Sequence, residues 1–170
     1  MQSPMSKLLA LLLAVTACGS THTATKGTQT MTTDIKPTKA GLKIKLTTIY
    51  VNDQDKALRF YTEVLGFVKK DDFTNGPYRW LTVASPADPD GTALQLAANN
   101  NPAGKAYQEA LFNQSQPAVM FNTDDLDGDY ERMKARGAEF TMPPTDVTMS
   151  KIAMLNDTAG NLVQLTQLLR

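Results

Sequence analysis

Apolar and polar positions along this chain trace one pattern twice. Residues 42–51 read as a strand, with Leu46, Thr48 and Tyr50 on one face by the period of two. Ala57, Phe60, Tyr61, Val64 and Leu65 then recur at the spacing of a helix face. Asp53 stands where an N-cap is needed, Asp55 falls in the first turn, and Gly66 offers a left-handed stop. Three strands follow at 67–72, 78–84 and 92–97, divided by the turn signals Asn75-Gly-Pro and Asp88-Pro-Asp-Gly. After an extra short helix at 102–114, marked by Tyr107, Ala110 and Leu111, the order returns. A strand at 118–123 leads to a helix striped by Leu126, Tyr130 and Met133 and ended by Gly137. Short strands at 139–142, 151–156 and 161–167 close the second copy, with Met142-Pro143-Pro144 expected to form a loop over a sheet edge.

The repeat extends to single residues. Asp88-Pro-Asp-Gly-Thr-Ala-Leu-Gln-Leu96 returns 69 positions later as Asp157-Thr-Ala-Gly-Asn-Leu-Val-Gln-Leu165. Asp53-Gln-Asp55 is echoed by Asp125-Leu-Asp127. The chain therefore holds two strand-helix-three-strand modules, at about 42–98 and 117–168. The fold class is α+β, with two mixed sheets and one additional helix between the modules.

Alternation assigns faces. Leu94 and Leu96 flank Gln95, and Val163 and Leu165 flank Gln164. The aliphatic pairs belong under the helices and the two glutamines on the opposite face. Leu46, Thr48 and Tyr50 share that face on the first strand, and Met120 and Asn122 on the fifth. Tyr78, Trp80 and Thr82 fall there by the same rule. Either this face lines a pocket or it is the solvated side of a sheet.

The N-terminus reads differently. Lys7 precedes an apolar run at 8–15 that is too short to span a bilayer, the form of a secretory signal. Val15-Thr-Ala-Cys18-Gly resembles the lipobox of bacterial lipoproteins, in which the Cys becomes the lipidated first residue. Residues 1–17 are read as signal, 18–40 as lipidated Cys18 and flexible tether, and 41–170 as the domain. The expected location is exported and membrane-anchored, on the periplasmic side or the cell surface. The one Cys permits no intrachain disulfide, and the one His, His22, lies in the tether. Lys+Arg and Asp+Glu are both 17, which gives no reason to expect nucleic acid. Asp125, Asp127 and Asp129 alternate like calcium ligands, but Tyr130 stands where such a loop needs Gly and Arg136 where it needs Glu. Helix capping accounts for that cluster.

Ile49-Tyr-Val-Asn-Asp53, Phe60-Tyr-Thr-Glu-Val-Leu-Gly-Phe67 and Asp157-Thr-Ala-Gly-Asn161, in this order, resemble the vicinal oxygen chelate superfamily of glyoxalases, bleomycin resistance proteins and extradiol dioxygenases. The likeness covers about 42–168 and implies two modules forming an open cup. It places the metal-ligand positions of catalytic members on Leu46, Gln95, Ala118 and Gln164. Two of these have no donor atom and two are neutral amides, so no metal or other cofactor is expected. The implied role is small-molecule binding or sequestration in the cup. The candidate contacts are Tyr50, Trp80, Gln95, Asn122 and Gln164. The competing reading is a lyase, isomerase or dioxygenase with a relocated or absent metal. A third is a structural module that pairs through its sheet edges. The cup forms within one chain or across a swapped homodimer, and the membrane is met through the anchor alone.

The N-terminal reading makes a prediction. Cys18→Ala should release the protein from the membrane fraction on cell fractionation and alter the mature N-terminus. Unchanged membrane association with an unchanged N-terminus would refute lipidation at Cys18.

Overall fold

Strand β1 (Leu46–Val51) buries Ile49 and Val51 and turns Thr48 and Tyr50 the other way. The computed structural model describes residues 41–169, so the signal at 1–17 and the lipidated Cys18 and tether at 18–40 lie outside the described residues. The first strand was expected from residue 42, but it begins at Leu46. Leu42 and Ile44 are fully or largely exposed, with no core above them to hold a longer strand.

Asp53 caps helix α1 (Gln54–Arg59), its carboxylate accepting from the Lys56 amide at 2.9 Å. The helix then widens into a π turn (Phe60–Val64), closed by the Leu65 amide on the Phe60 carbonyl at 3.1 Å. Both of the adjacent residues Phe60 and Tyr61 are buried in this turn. Strands β2 (Val68–Asn75), β3 (Tyr78–Ala84) and β4 (Ala93–Ala98) complete a sheet of order β1-β4-β3-β2, with β1 and β4 parallel.

Helix α2 (Pro102–Asn113) follows, capped by Asn101. Module two then repeats the plan with β5 (Pro117–Asn122), α3 (Leu126–Ala135), β6 (Glu139–Val147), β7 (Ser150–Asn156) and β8 (Leu162–Leu168). Its sheet runs β5-β8-β7-β6, with β5 and β8 parallel. One hydrophobic core joins the modules. Leu81, Val83, Leu94 and Leu96 from one sheet and Leu155, Val163 and Leu165 from the other pack with Phe60, Tyr61, Leu126 and Met133.

Two expectations are answered in module two. Asp125 caps α3 through the Gly128 amide at 3.0 Å, and Asp129 accepts from the Thr123 hydroxyl at 2.6 Å, so the acidic cluster does serve the helix start. Met142-Pro143-Pro144, however, does not form a loop. It lies inside β6, where the pairing with β7 slips on both sides of Met142. As an edge strand β6 needs a ladder partner on one side only, and prolines are tolerated there.

The modules are fastened by the turn Asp157–Asn161. Asp157 is fully buried, and one carboxylate oxygen accepts from the Ala159 and Asn161 amides at 2.8 Å each. The other accepts from the Asn161 side chain at 2.7 Å and from the Tyr61 hydroxyl at 3.4 Å. Asn161 also donates to the Tyr50 carbonyl at 2.9 Å. Gln108 of α2 donates to the same carbonyl and to that of Ala159, both at 2.9 Å, while the Asn52 amide reaches Ala159 at 3.0 Å. Burial pushes the Asp157 carboxyl above its usual range while its donors pull it back, and burial beside that carboxylate pushes the Tyr61 phenol up. Gly160 sits at φ +101, and a Cβ there would meet the Gln108 side-chain nitrogen at 2.6 Å.

Removing Asp157 strands several buried donors at once. Asp157→Ala should cost about 3 kcal/mol or more in urea-induced unfolding, since each buried donor left unpaired costs roughly 1–3 kcal/mol. A loss below about 1 kcal/mol would mean that the turn does not fasten the modules.

Candidate functional site

The two sheets carry matching rows across their uncovered faces. In sheet one, strand register aligns Thr48, Gln95, Thr82 and Asp71. In sheet two it aligns Met120, Gln164, Met154 and Met142. Strand for strand the positions correspond, yet only the glutamine is shared. The first row is hydrogen-bonded in two pairs. The Thr48 hydroxyl donates to Gln95 Oε1 at 2.9 Å, and the Thr82 hydroxyl donates to the Asp71 carboxylate at 2.9 Å. The second row is thioether, with Gln164 turned along its own strand to the Thr166 hydroxyl at 3.0 Å.

Above the Thr48–Gln95 half of the first row lies a cavity of about 540 Å³. Thr48, Tyr50, Tyr78, Gln95 and Ala97 line it, with Gln54, Arg79, Asn100 and Asn101 among its other lining residues. Gln95 is only 6% exposed, and its Nε2 donates to the Tyr78 hydroxyl at 2.6 Å. Tyr50 is held from behind by α2. A Cβ on Gly104 would come within 2.9 Å of the Tyr50 ring, so glycine is what permits the helix to lie against it.

The cation at this cavity, Arg79, is held by two carboxylates. Arg79 grips Asp72 through Nε at 2.8 Å and a terminal nitrogen at 3.0 Å, and reaches Asp55 at 2.7 Å. The two carboxylates hold its proton more firmly, and the guanidinium holds the Asp72 carboxyl down at about 2. Gln54 spans from the helix to the sheet, donating to the Leu96 carbonyl at 2.7 Å.

Of the residues singled out from sequence, the structure brings Tyr50 and Gln95 to this cavity. Trp80, Asn122 and Gln164 are not among its lining residues. Trp80 stacks on Phe73 of the neighbouring strand at 6.2 Å between ring centroids. Asn122 and Gln164 belong to the other sheet, where Asn122 is exposed beside Thr166. Met142 and Met154 line a separate hollow of about 330 Å³ with Phe112 and Leu162. Gln54, Arg79, Asn100 and Asn101 escaped the sequence reading. Gln54 and Arg79 stand outside the period-two face, and Asn100 and Asn101 follow β4 without regular spacing. The run Asn99-Asn-Asn101 was the available signal.

The positions that the family resemblance assigns to metal ligands carry no carboxylate or imidazole. Gln95 is committed at both amide atoms and Gln164 donates to Thr166, while Leu46 and Ala118 carry no donor. Among the described residues, no three His, Cys, Asp or Glu side chains group to hold a cation.

Two βαβββ modules, each presenting an uncovered sheet face with a glutamine at its centre, define the class. The chain belongs to the Glyoxalase/Bleomycin resistance protein/Dioxygenase superfamily, whose family model matches residues 43–165. It is 48% identical over 126 residues to the uncharacterized protein YurT of Bacillus subtilis strain 168, covering 74% of this chain and 99% of that one. Among solved structures it is similar to UcmS2, at 27% identity and a TM-score of 0.66, with 75% of this chain and 98% of that one covered. It is also similar to TnmS3, an antibiotic binding protein from Streptomyces sp. CB03234. That likeness has 29% identity and a TM-score of 0.61, over 76% of this chain and 98% of that one.

The ion pair at the cavity predicts an acid response. A carboxyl lowered from 3.8 to about 2 contributes stability above its unfolded value and loses it as pH falls through the folded one. Asp72→Asn should therefore flatten the loss of stability across that interval. Parallel acid-unfolding curves for the variant and the parent protein would show that the pair contributes nothing.

Proposed function

We propose that this chain binds and sequesters an uncharged, partly aromatic small molecule on the uncovered sheet faces, without a transition metal. The observation that carries this reading is the pair of corresponding rows. One is a hydrogen-bonded set of hydroxyl and amide groups under a cavity flanked by Tyr50 and Tyr78. The other is methionine, whose polarizable, flexible side chain adapts to varied apolar shapes. Arg79 is already shared by two carboxylates, which favours an uncharged ligand. The likeness to an antibiotic binding protein agrees with capture rather than turnover.

The same reading extends to context. Cys18 tethers the domain by lipid to the exported side of a membrane. Two chains associate so that the methionine row of one closes the polar cavity of the other. Thr48 and Gln95 line one hollow and Met142 and Met154 another within one chain, which supports that arrangement. A monomer in sedimentation at micromolar concentration would exclude it.

Elemental analysis of protein purified without a histidine tag separates binding from metal-dependent chemistry. Zinc, nickel, manganese and iron should each stay far below one atom per chain, and stoichiometric metal would favour a lyase, isomerase or dioxygenase. In fluorescence titration with neutral 7-hydroxycoumarin, Tyr50→Ala should weaken binding about tenfold, equivalent to about 1.4 kcal/mol. Unchanged affinity would remove Tyr50 from the site.

A further inference from the structure

Gln95 sits between two hydroxyl groups, and this makes its amide reversible. As built, Thr48 donates to Oε1 at 2.9 Å and Nε2 donates to Tyr78 at 2.6 Å. In this state the Tyr78 proton is free to donate outward, while Thr48 offers only lone pairs. Turn the amide over and every bond is remade in the opposite sense. Tyr78 then donates to Oε1, Nε2 donates to Thr48, and the free proton belongs to Thr48. A hydroxyl serves equally as donor or acceptor, so neither state loses a hydrogen bond. Thr82, the other neighbour of Gln95 in register, does not join, because its hydroxyl is committed to Asp71 on both counts.

We propose that Thr48, Gln95 and Tyr78 form a reversible relay that makes Gln95 the specificity-determining residue of the cavity. Between them the Thr48 and Tyr78 hydroxyls present one free proton and one accepting oxygen, never two free hydroxyl protons. It therefore selects uncharged ligands that carry a hydrogen-bond donor together with an acceptor, such as hydroxy-carbonyl and lactam compounds. Ligands with acceptors alone bring no donor to the Thr48 or Tyr78 oxygen, whichever way the amide lies. The proposal rests on the reading of this cavity as the ligand site. Three features support it. Gln95 is buried, so water does not readily substitute for its partners. Tyr78 is 50% exposed, so its hydroxyl can reach a ligand. Arg79, the cation at the cavity, is shared by Asp72 and Asp55, so its charge does not compete with the relay.

Gln95→Glu tests this directly. A carboxylate only accepts, so Thr48 and Tyr78 must both donate to it, and two accepting oxygens then face the cavity. The probes are 7-hydroxycoumarin, with a donor and an acceptor; coumarin and 7-methoxycoumarin, with acceptors only and bracketing it in size; and 2,7-dihydroxynaphthalene, with two donors. Titrations use the mature full chain, at a pH where the probes are neutral. The parent protein should bind 7-hydroxycoumarin at least about tenfold tighter than either acceptor-only probe. Gln95→Glu should instead prefer 2,7-dihydroxynaphthalene over 7-hydroxycoumarin by about tenfold. If Gln95→Glu fails to fold, Tyr78→Phe serves, because the half-exposed ring tolerates loss of its hydroxyl. It should erase the advantage of 7-hydroxycoumarin over coumarin. If probes bind but the parent ranks the coumarins equally, or the variant keeps the parent's order, the relay is wrong and the cavity stands. If no probe binds the parent protein, the cavity is not the site and the relay falls with it.

Discussion

A buried carboxylate with four hydrogen-bond donors around it is the constraint on which this fold turns. Asp157 accepts from two backbone amides, from Asn161 and from Tyr61, and those donors come from both modules. A lone carboxylate in that position would be costly, because its water has been removed. The π turn of α1 is part of the solution, since it buries Tyr61 where the phenol reaches the carboxylate. Asn161 and Gln108 then tie the backbone of β1 to the turn and to α2. The two modules are thus held at this joint, and the sheet faces beyond it are left free to differ.

They have differed. The duplicated plan keeps strand order, parallel pairing and the glutamine, while the other three positions of the row have changed class. A hydroxyl beside Gln95 gives its amide a hydrogen-bond partner within the row, whereas Gln164, beside thioethers, turns to the Thr166 hydroxyl on its own strand. The Asp-x-x-Gly turns diverged likewise. Asp157 is buried at the joint, whereas Asp88 stays exposed and its turn closes through the Gly91 amide at 3.1 Å. Only one such turn can occupy the joint between two modules.

Most of the architecture was legible in the residues. The 69-position repeat, the cap at Asp53 and the glycine stop at Gly66 all report local chemistry, which a sequence displays directly. The two misjudged boundaries depend on neighbours in space. Leu42 and Ile44 alternate well enough for a strand but have nothing to cover them. Pro143 and Pro144 look like a break until β6 is known to lie at an edge. The site was half legible for the same reason. Period two puts Tyr50, Gln95 and Trp80 on one face, yet it cannot say that Trp80 will stack on Phe73, nor that Gln164 will lie away from the cavity that Gln95 lines. Residues such as Gln54 and Asn101 arrive from outside the sheet, where no periodicity marks them.

Tyr50 links what is otherwise kept apart. Its carbonyl accepts from both Asn161 and Gln108 at the joint, while its ring forms part of the cavity wall and is braced by Gly104. Occupancy and cohesion are therefore thermodynamically linked through one residue. A molecule resting on that ring favours the conformation in which the modules are fastened, and so draws the folding equilibrium toward the native state. The melting temperature then becomes a gauge of cavity filling, which allows unknown compounds to be ranked before any chemistry is assigned to them.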